Sequence, residues 1–494
     1  MIEDNEEHIN GYESVIGLEV HAELSTKTKI YCSCRNVFGG SPNTNVCPIC
    51  MGLPGALPSL NKKVVEYAVK AGIAMNCHIN NISGHDRKNY FYPDLPKAYQ
   101  ISQWETPICE NGYLDIVSDG RIKRIGINRI HIEEDAGKLL HESEKNSLAD
   151  FNRCGVPLIE IVSEPDMNNS SQAKAYLETI KMILQYIGVS DCKMQEGSIR
   201  CDVNVSLRKK GSSELGTRCE LKNVNSFSGA IRGIEYEILR QTQILKSGGV
   251  IEQETRRWDD VIGRSIVMRT KENAQDYRYF PEPDLKNIVI SDYEIEKLKE
   301  TLPELPNKKI WRYINEYGFS QIDAELIVES TERAELFDKS VKLDICKPKT
   351  ICNWILSDIA KIQNETGLTI SDMNITANKL CTLISEVEKG NISNTAGKTV
   401  LSIMVKSGKT PLDIINMIIE YYEQIIKENN MIQNSDRGSL RRIVCEVLSE
   451  NQKSVNDYKN GKEKALGFIV GKCMQKSKGT ANPSMLREII LSEI

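Results

Sequence analysis

Between Gly17 and Leu24 the chain reads Gly-Leu-Glu-Val-His-Ala-Glu-Leu, so Glu19, His21 and Glu23 leave one side of an extended segment and Leu18, Val20, Ala22 and Leu24 the other. An imidazole between two carboxylates suits a divalent cation, because ionised oxygens and a neutral ring nitrogen are hard-to-borderline ligands. The alternative is an ordinary half-exposed strand, for which alternation is the commonest pattern. Three adjacent acids, Glu133-Glu-Asp135, end a second extended stretch that carries Ile125, Ile127 and His131. Neighbouring carboxylates repel unless a cation or basic group offsets them, which makes this triplet the natural partner of the first row. Alternation groups His131 with Glu133 and sends Glu134 to the opposite side, so the acid that turns inward depends on where the strand ends. Glu160 is a lone carboxylate within the apolar run Val156–Val162. It is costly there unless bonded to metal, arginine or backbone amides.

Further along, Ile199, Cys201, Val203, Val205 and Leu207 alternate with Arg200, Asp202, Asn204 and Ser206, which describes a strand with one face on a core and the other on solvent or a wet cavity. Arg218, Glu220 and Lys222 repeat the logic against Cys219 and Leu221. The stretch His85–Gln103 combines four aromatic residues, two prolines and the basic groups Arg87, Lys88 and Lys97. A rigid loop of this composition can hold a base or a phosphate, or close a core as an aromatic cluster. Tyr279-Phe-Pro-Glu-Pro-Asp-Leu285, which follows Arg278, echoes Tyr90-Phe-Tyr-Pro-Asp-Leu-Pro96 and suggests two similar loops on either side of one pocket. Cys32-Ser-Cys34 and Cys47-Pro-Ile-Cys50 are separated by twelve residues. Two close cysteine pairs at that distance have zinc-ribbon spacing; four free thiols framing a loop are the alternative.

These groups must be positioned by a strand-rich first part flanked by helices at Asn61–Met75, Ser171–Ile187 (capped near Ser170) and Ser226–Leu245. Strand signals stop near Ile295, a helical region follows to about Glu420, and no histidine occurs after His141. At the end, Leu466, Ile469, Val470 and Cys473 form a helical stripe among lysines, and residues 451–494 carry seven lysines and one arginine against one aspartate and three glutamates, a net +4 on a chain of net −5. A length of 494 residues with 40% hydrophobic and 27% charged residues fits several globular domains and excludes a wholly disordered or membrane class. No signal peptide or spanning segment is readable, and fifteen scattered cysteines suit a reducing compartment, so a cytoplasmic setting is expected. Gly397-Lys-Thr399 and Gly408-Lys-Thr410 lack the first glycine of a phosphate loop, since positions 392 and 403 are both isoleucine. Gly211–Gly216 lacks the glycine pattern of an amidase serine loop and reads as a turn. Any nucleotide phosphates must then be held by metal and basic side chains.

The motifs GLEVHAEL at Gly17, NYFYPDLPKAYQISQ at Asn89, EEDAGK at Glu133, GVPLIEIVSEPD at Gly155, RYFPEPDL at Arg278 and GKEKALGFIVGK at Gly461 together resemble the B subunits of the tRNA-dependent amidotransferases, the GatB family. The resemblance runs from about Tyr12 to Ile494, with His85 where the family usually has phenylalanine. It implies an α+β fold: a glutamine-synthetase-like cradle with a mainly antiparallel sheet over residues 12–295 after a short extension (1–11), an all-helical domain (296–420) and a YqeY-like tail (421–494) that grips tRNA. It also implies ATP- and Mg2+-dependent activation of Glu-tRNA(Gln) or Asp-tRNA(Asn), and a zinc-type knuckle, metal-loaded or metal-free, at Cys32, Cys34, Cys47 and Cys50. Two partners go with it: an amidase, the A subunit, which supplies ammonia, and the small C subunit. Magnesium is expected on Glu19, His21, Glu134 and Glu160, with Glu133, Asp135 and Asp202 as second choices. The expected catalytic set is Glu19, His21, Glu134, Glu160, Asp202, Lys88 and Arg278, and the expected nucleotide contacts are Arg87, Lys97, Arg200, Arg218 and Lys222. A non-catalytic zinc-containing RNA-binding module is the second reading, against which stands the concentration of acids, repulsive to phosphate without metal.

Overall fold

The computed structural model describes residues 11–140, 146–224, 226–270, 274–428, 436–477, 479 and 481–494; the expected N-terminal extension, apart from Gly11, lies outside them. The chain divides into two compact units, residues 1–331 and 332–494. The first is organised on a nine-stranded sheet. Its order is Arg264–Thr270, Glu254–Asp259, Cys219–Val224, Ile199–Lys209, Tyr12–Glu23, Pro157–Ser163, Arg121–Glu134, Cys109–Ser118 and His78–Ile79. All neighbours are antiparallel except Cys219–Val224 and Glu254–Asp259, which run parallel.

Because side chains alternate, each central strand sends its aliphatic set to one face: Leu18, Val20 and Ala22, then Ile130 and Ile132, Ile159 and Ile161, and Val203 and Val205 are all buried. Each such burial contributes about 1.5–3 kcal/mol, so the register of the central strands is strongly specified. Three helices cover this face. Lys62–Ala74 contributes Val64 and Ala68, Ser170–Tyr186 contributes Tyr176 and Ile180, and Phe227–Lys246 contributes Ile234 and Ile238. Their N-caps are Asn61, Asn169 and Ser226, each accepting a backbone N–H of its first turn. The middle helix therefore starts one residue before the expected Ser171, with Asn169 rather than Ser170 as its cap.

The opposite face is polar. A small sheet, Phe280–Pro281 with Asp86–Asn89 and Tyr99–Ser102, contributes to its cover. The two aromatic-proline stretches expected on either side of a pocket are thus neighbours: Phe280 pairs with Arg87, and Tyr90 meets Tyr277 edge-on at 6.0 Å. The change from strands to helices falls near residue 292, close to the expected 295, but packing continues beyond it. Ile295, Leu298, Leu302 and Leu305 join the first core, and the Tyr186 hydroxyl donates to the Val328 carbonyl at 2.8 Å. The second unit is helical among its described residues. In its C-terminal part Leu466, Ile469 and Cys473 of the helix Lys464–Lys476 pack with Leu440, Val444 and Ile489 of neighbouring helices, as the apolar stripe anticipates.

Candidate active site in the sheet cleft

Sheet register, more than any loop, assembles the polar face. Glu160 lies directly opposite His21 on one side and His131 on the other, while Glu19 faces Asp202 and Gly17 faces Asn204. The result is a cleft of about 330 Å3 whose floor carries two sets of donors. In the first, His21 Nε2 lies 3.3 Å from Glu160 and 3.5 Å from Glu133, and His131 Nε2 lies 3.3 Å from the same Glu160 oxygen. In the second, Glu19, Asp202 and Glu220 bring carboxylate oxygens within 4.8 Å of one another.

Electrostatics follow from this crowding. Burial opposes a charged His21, yet Glu160 and then Glu133 push it up to about 9. Burial would raise the Glu160 carboxyl, but His131 and His21 together hold it well below the usual range. Glu19 goes the other way: burial, then Glu160, Glu220 and Asp202, raise it, with Lys222 as a partial offset. Lys222 donates to Asp202 at 2.7 Å and lies 2.9 Å from Glu220, and the Asn204 amide donates to Glu19 at 3.0 Å. The imidazoles of His21 and His131 and the ammonium groups of Lys222 and Lys88 thus stand among five carboxyl groups. Hard oxygen donors with one or two imidazoles form a donor set that fits Mg2+, whose entry would displace the His21 proton.

The walls are aromatic and basic. Trp104 stacks on Tyr279 with ring centres 4.8 Å apart, the Arg129 guanidinium lies 4.8 Å from the Trp104 ring, and the Lys88 ammonium lies 4.8 Å from the Tyr277 ring. Beyond His21 and Lys88 a second cavity of about 270 Å3 holds Glu133, Asp135, Arg153 and Arg200.

The expected residues therefore separate. Glu19, His21, Glu160, Asp202, Lys88, Arg218 and Lys222 line the cleft, and Glu133 completes the first donor set. Glu134 is not brought there. The strand Arg121–Glu134 runs straight to its end, so strict alternation keeps Glu133 with His131 and turns Glu134 to the far face, where it pairs with Lys97 and accepts the Ile101 N–H at 2.9 Å. Lys97 is accordingly away from the cleft as well. Arg87 is held by Glu282 at 2.7 Å and Asp284 at 3.2 Å, Arg200 by Asp135 at 2.6 Å, and Arg278 is exposed with its carbonyl accepting from Asn89. Asp135 faces the second cavity. Glu220 enters the second donor set without having been expected there, and His131 stands beside the first, its Nε2 3.3 Å from Glu160. For His131 the signal was its shared face with Glu133; Glu220 was masked by the flanking basic Arg218 and Lys222.

Cys32 and Cys50 line a separate cavity of about 170 Å3 together with Lys97 and Glu134. The four sulfurs of Cys32, Cys34, Cys47 and Cys50 lie within 4.8 Å of one another. The hydrogen bond between Cys32 and Cys50 is the largest influence: it pulls the Cys50 thiol down to about 5 and pushes Cys32 up. The buried Lys29 ammonium lies 3.9 Å from the Cys50 sulfur and donates to the Asn45 carbonyl at 2.8 Å.

A sheet with cation-ready carboxylates on one face, joined to a separate helical unit, defines a two-part enzyme subunit. Residues 14–296 match the GatB/GatE catalytic domain family and residues 335–494 match the GatB domain family. The chain is 54% identical over 483 residues to the aspartyl/glutamyl-tRNA(Asn/Gln) amidotransferase B subunit of Thermoanaerobacter pseudethanolicus, covering 98% of this chain and 99% of the relative. It is 55% identical over 487 residues to the protein so named in Caldicellulosiruptor bescii and 50% over 484 residues to that of Clostridium kluyveri, with the same coverage of 98% and 99%. The chain belongs to the GatB family of amidotransferase B subunits. No helix among the described residues is long and apolar enough to cross a membrane.

Proposed function

We propose that the chain activates the side-chain carboxylate of Glu-tRNA(Gln), Asp-tRNA(Asn) or both by ATP, and then amidates it with ammonia from a partner amidase. The observation that carries this reading is the pair of neighbouring donor sets, Glu19, Asp202 and Glu220 on the cleft floor beside His21 and Glu160, which Glu133 joins from the adjoining cavity. A carboxylate resists displacement by ammonia, so a carboxylate oxygen first attacks the γ-phosphorus and ADP leaves. Ammonia then attacks the acyl carbon of the resulting acyl phosphate, phosphate departs, and the new amide loses a proton. Mg2+ on these donors would neutralise carboxylate and phosphate oxygens. The chain's own residues supply the rest: Lys222, Lys88 and Arg218 bring cationic groups to the cleft, and the Trp104–Tyr279 stack gives it an aromatic wall.

The names of the relatives support an assembly with other subunits, and with it go a cytoplasmic setting, the amidase that supplies ammonia and the small third partner. The test is ATP cleavage by the assembled enzyme. It should depend on misacylated tRNA and on Mg2+; cleavage indifferent to both, or amidation without ATP, would remove the proposal.

The basic end is the proposed tRNA grip. Its charge acts through phosphates and so positions RNA with little base discrimination. Deleting residues 421–494 should raise the KM for misacylated tRNA about tenfold or more and flatten the salt dependence of binding, while glutamine hydrolysis by the partner persists. Filter binding across a salt series checks this; an unchanged slope would make the lysines a solvated face.

A further inference from the structure

After the strand Arg121–Glu134 delivers its acids, the chain makes an excursion before it returns as Pro157–Ser163, and no described residue between Ile132 and Ile159 joins the main hydrophobic cluster. What holds this excursion is polar. Lys138–Leu140 pairs with Leu148–Asp150 in a two-stranded ribbon of three residue pairs, and a ribbon of that size is marginal in water by itself. It nevertheless leads into Arg153, whose guanidinium donates to the Ala136 carbonyl at 3.0 Å and the Gly137 carbonyl at 2.8 Å and lies 3.4 Å from Asp135. Asp135 also takes Arg200 at 2.6 Å, so Arg153, Asp135 and Arg200 form one wall of the cavity of about 270 Å3 beyond His21 and Lys88.

The missing support comes from the cysteine knuckle, on both sides of Arg153. On one side the loop between the two cysteine pairs grips the ribbon. Asn43 N–H donates to the Asp150 carboxylate at 3.0 Å, and the Asn43 side-chain amide donates to the Ala149 carbonyl at 2.9 Å and accepts from Phe151 N–H at 2.8 Å. Asn152 answers from the ribbon, accepting from Asn45 N–H at 2.8 Å and donating to the Ser41 carbonyl at 2.7 Å. The Asn43 side chain thus pairs with backbone as a further strand would, and its φ of +59°, a left-handed conformation that asparagine tolerates, goes with that placement. On the other side, Ile30 N–H, next to Lys29, donates to the Gly155 carbonyl at 2.9 Å, and a Cβ placed on Gly155 would lie 3.6 Å from that of Cys50. Arg153 is therefore held between two points, residues 149–152 and 155, that both rest on the knuckle. The donor Glu133 does not depend on them, because its strand is secured by its own ladder with Pro157–Ser163.

The cavity behind this wall has a place for a cationic group. Asp94 lines it with a buried Oδ1 that has no hydrogen-bond partner among the described residues, an arrangement that costs about 1–3 kcal/mol until a donor arrives. The Asp94 carbonyl accepts from Gly137 N–H at 2.8 Å, so Asp94 belongs to the same wall. Cavity and cleft share His21, Lys88 and Asp202. An aminoacyl ester carries an ammonium group beside the carboxylate to be activated, and with that carboxylate at the donor sets the adjoining cavity is the compartment left for the ammonium. From this arrangement we propose that the knuckle seats the cavity wall: Asn43 and Asn152 are positioning residues that set Arg153, and through it Asp135, for the ammonium-bearing end of the substrate. This rests on the cleft being the centre that activates an aminoacyl-tRNA carboxylate. An ammonium could also come from the incoming ammonia in its protonated form; the wall's place beside the donor sets favours the aminoacyl end.

Asn43→Gly combined with Asn152→Ala removes the grip and leaves the cysteines, Arg153 and both donor sets in place; glycine keeps the left-handed backbone at 43. In the assembled enzyme built with the full-length chain, the backbone amides of residues 148–155 should exchange with deuterium about tenfold faster or more. The KM for misacylated tRNA should rise about fivefold or more, with kcat and zinc content within about twofold of wild type. Cys50→Ser should bring the same two changes, and joined to the asparagine pair it should add little to either, since both act through one contact. Unchanged exchange at 148–155, faster exchange with an unchanged KM, or fully additive effects of knuckle and grip would each overturn the proposal. The KM for ammonium chloride, supplied in place of glutamine, should stay at its wild-type value; a rise confined to that KM overturns the proposal in favour of the incoming nitrogen. A wild-type enzyme that cleaves no ATP in response to misacylated tRNA overturns the reading of the cleft instead, and the exchange measurement still decides whether the knuckle holds residues 148–155.

Discussion

Glu160→Ala should abolish carboxylate activation, lowering kcat/KM by about 100-fold or more, which is about 2.7 kcal/mol of transition-state stabilisation. Both His21 and His131 lie 3.3 Å from this one carboxylate, so its loss removes a donor and the group that organises two others. Buried imidazoles deprived of Glu160 lose the largest cause of their raised proton affinity, with Glu133 left as the remaining acid beside both, and the donor set loses geometry along with charge. Mn2+ titration followed by electron paramagnetic resonance should show a weakened site, while tRNA affinity should stay within about twofold if, as proposed, the basic end carries the phosphate contacts. Undiminished turnover with normal metal binding would overturn the assignment. Glu134→Ala is the informative contrast. Its partner Lys97 is nearly buried, so leaving that ammonium unpaired should cost roughly 3–5 kcal/mol of stability and leave Mn2+ binding in the folded protein intact.

That contrast also marks where the sequence stops being legible. Period-two alternation places Glu19 and His21 on one face and isolates Glu160, and antiparallel register then aligns them, so the centre of the site follows from local pattern. The Glu133 and Glu134 choice does not, because a strand may end at either residue and each ending turns a different acid inward. Arg87 and Lys97 were expected at phosphates because they are basic and lie in an aromatic loop. Their partners, Glu282 and Glu134, are distant in sequence, and nothing local announces that a charge is already engaged. Glu220 was hidden by chemistry: between Arg218 and Lys222 it reads as part of a basic edge, whereas Lys222 actually bridges Glu220 and Asp202. The helices were easier, since caps and a 3.6-residue stripe are local signals, and their ends fell within a residue or two.

The knuckle gives the other large effect, on stability and not on chemistry. Purified protein should hold one equivalent of zinc, and Cys50→Ser should release it, with a thermal midpoint lowered by at least about 5 °C and new proteolytic cleavage between residues 35 and 46. Four sulfurs within 4.8 Å of one another match a tetrahedral thiolate site, and a complete set of four leaves no position open for substrate. Without metal the same sulfurs hydrogen-bond one another, Cys32 with Cys50 and Cys50 with Cys47, which lowers the Cys50 thiol and raises that of Cys32. Lys29 supports the loaded form: a four-thiolate zinc centre carries net negative charge, and this buried ammonium lies beside the Cys50 sulfur. The loop from Arg35 to Val46 is exposed or half-buried and contributes nothing to the main hydrophobic cluster; it is tied down by polar contacts, Asn43 to Asp150 and Ala149 and Asn45 to Asn152, to which a bound metal would add a fixed base at the cysteines. The sheet core does not depend on that loop, so the zinc-free protein should keep its far-ultraviolet circular dichroism and its Mn2+ site in the cleft. Less than about half an equivalent of zinc in a fully active enzyme would make the cysteines a loop framework. Loss of the cleft metal site together with zinc would show that the knuckle and the cleft are one cooperative unit.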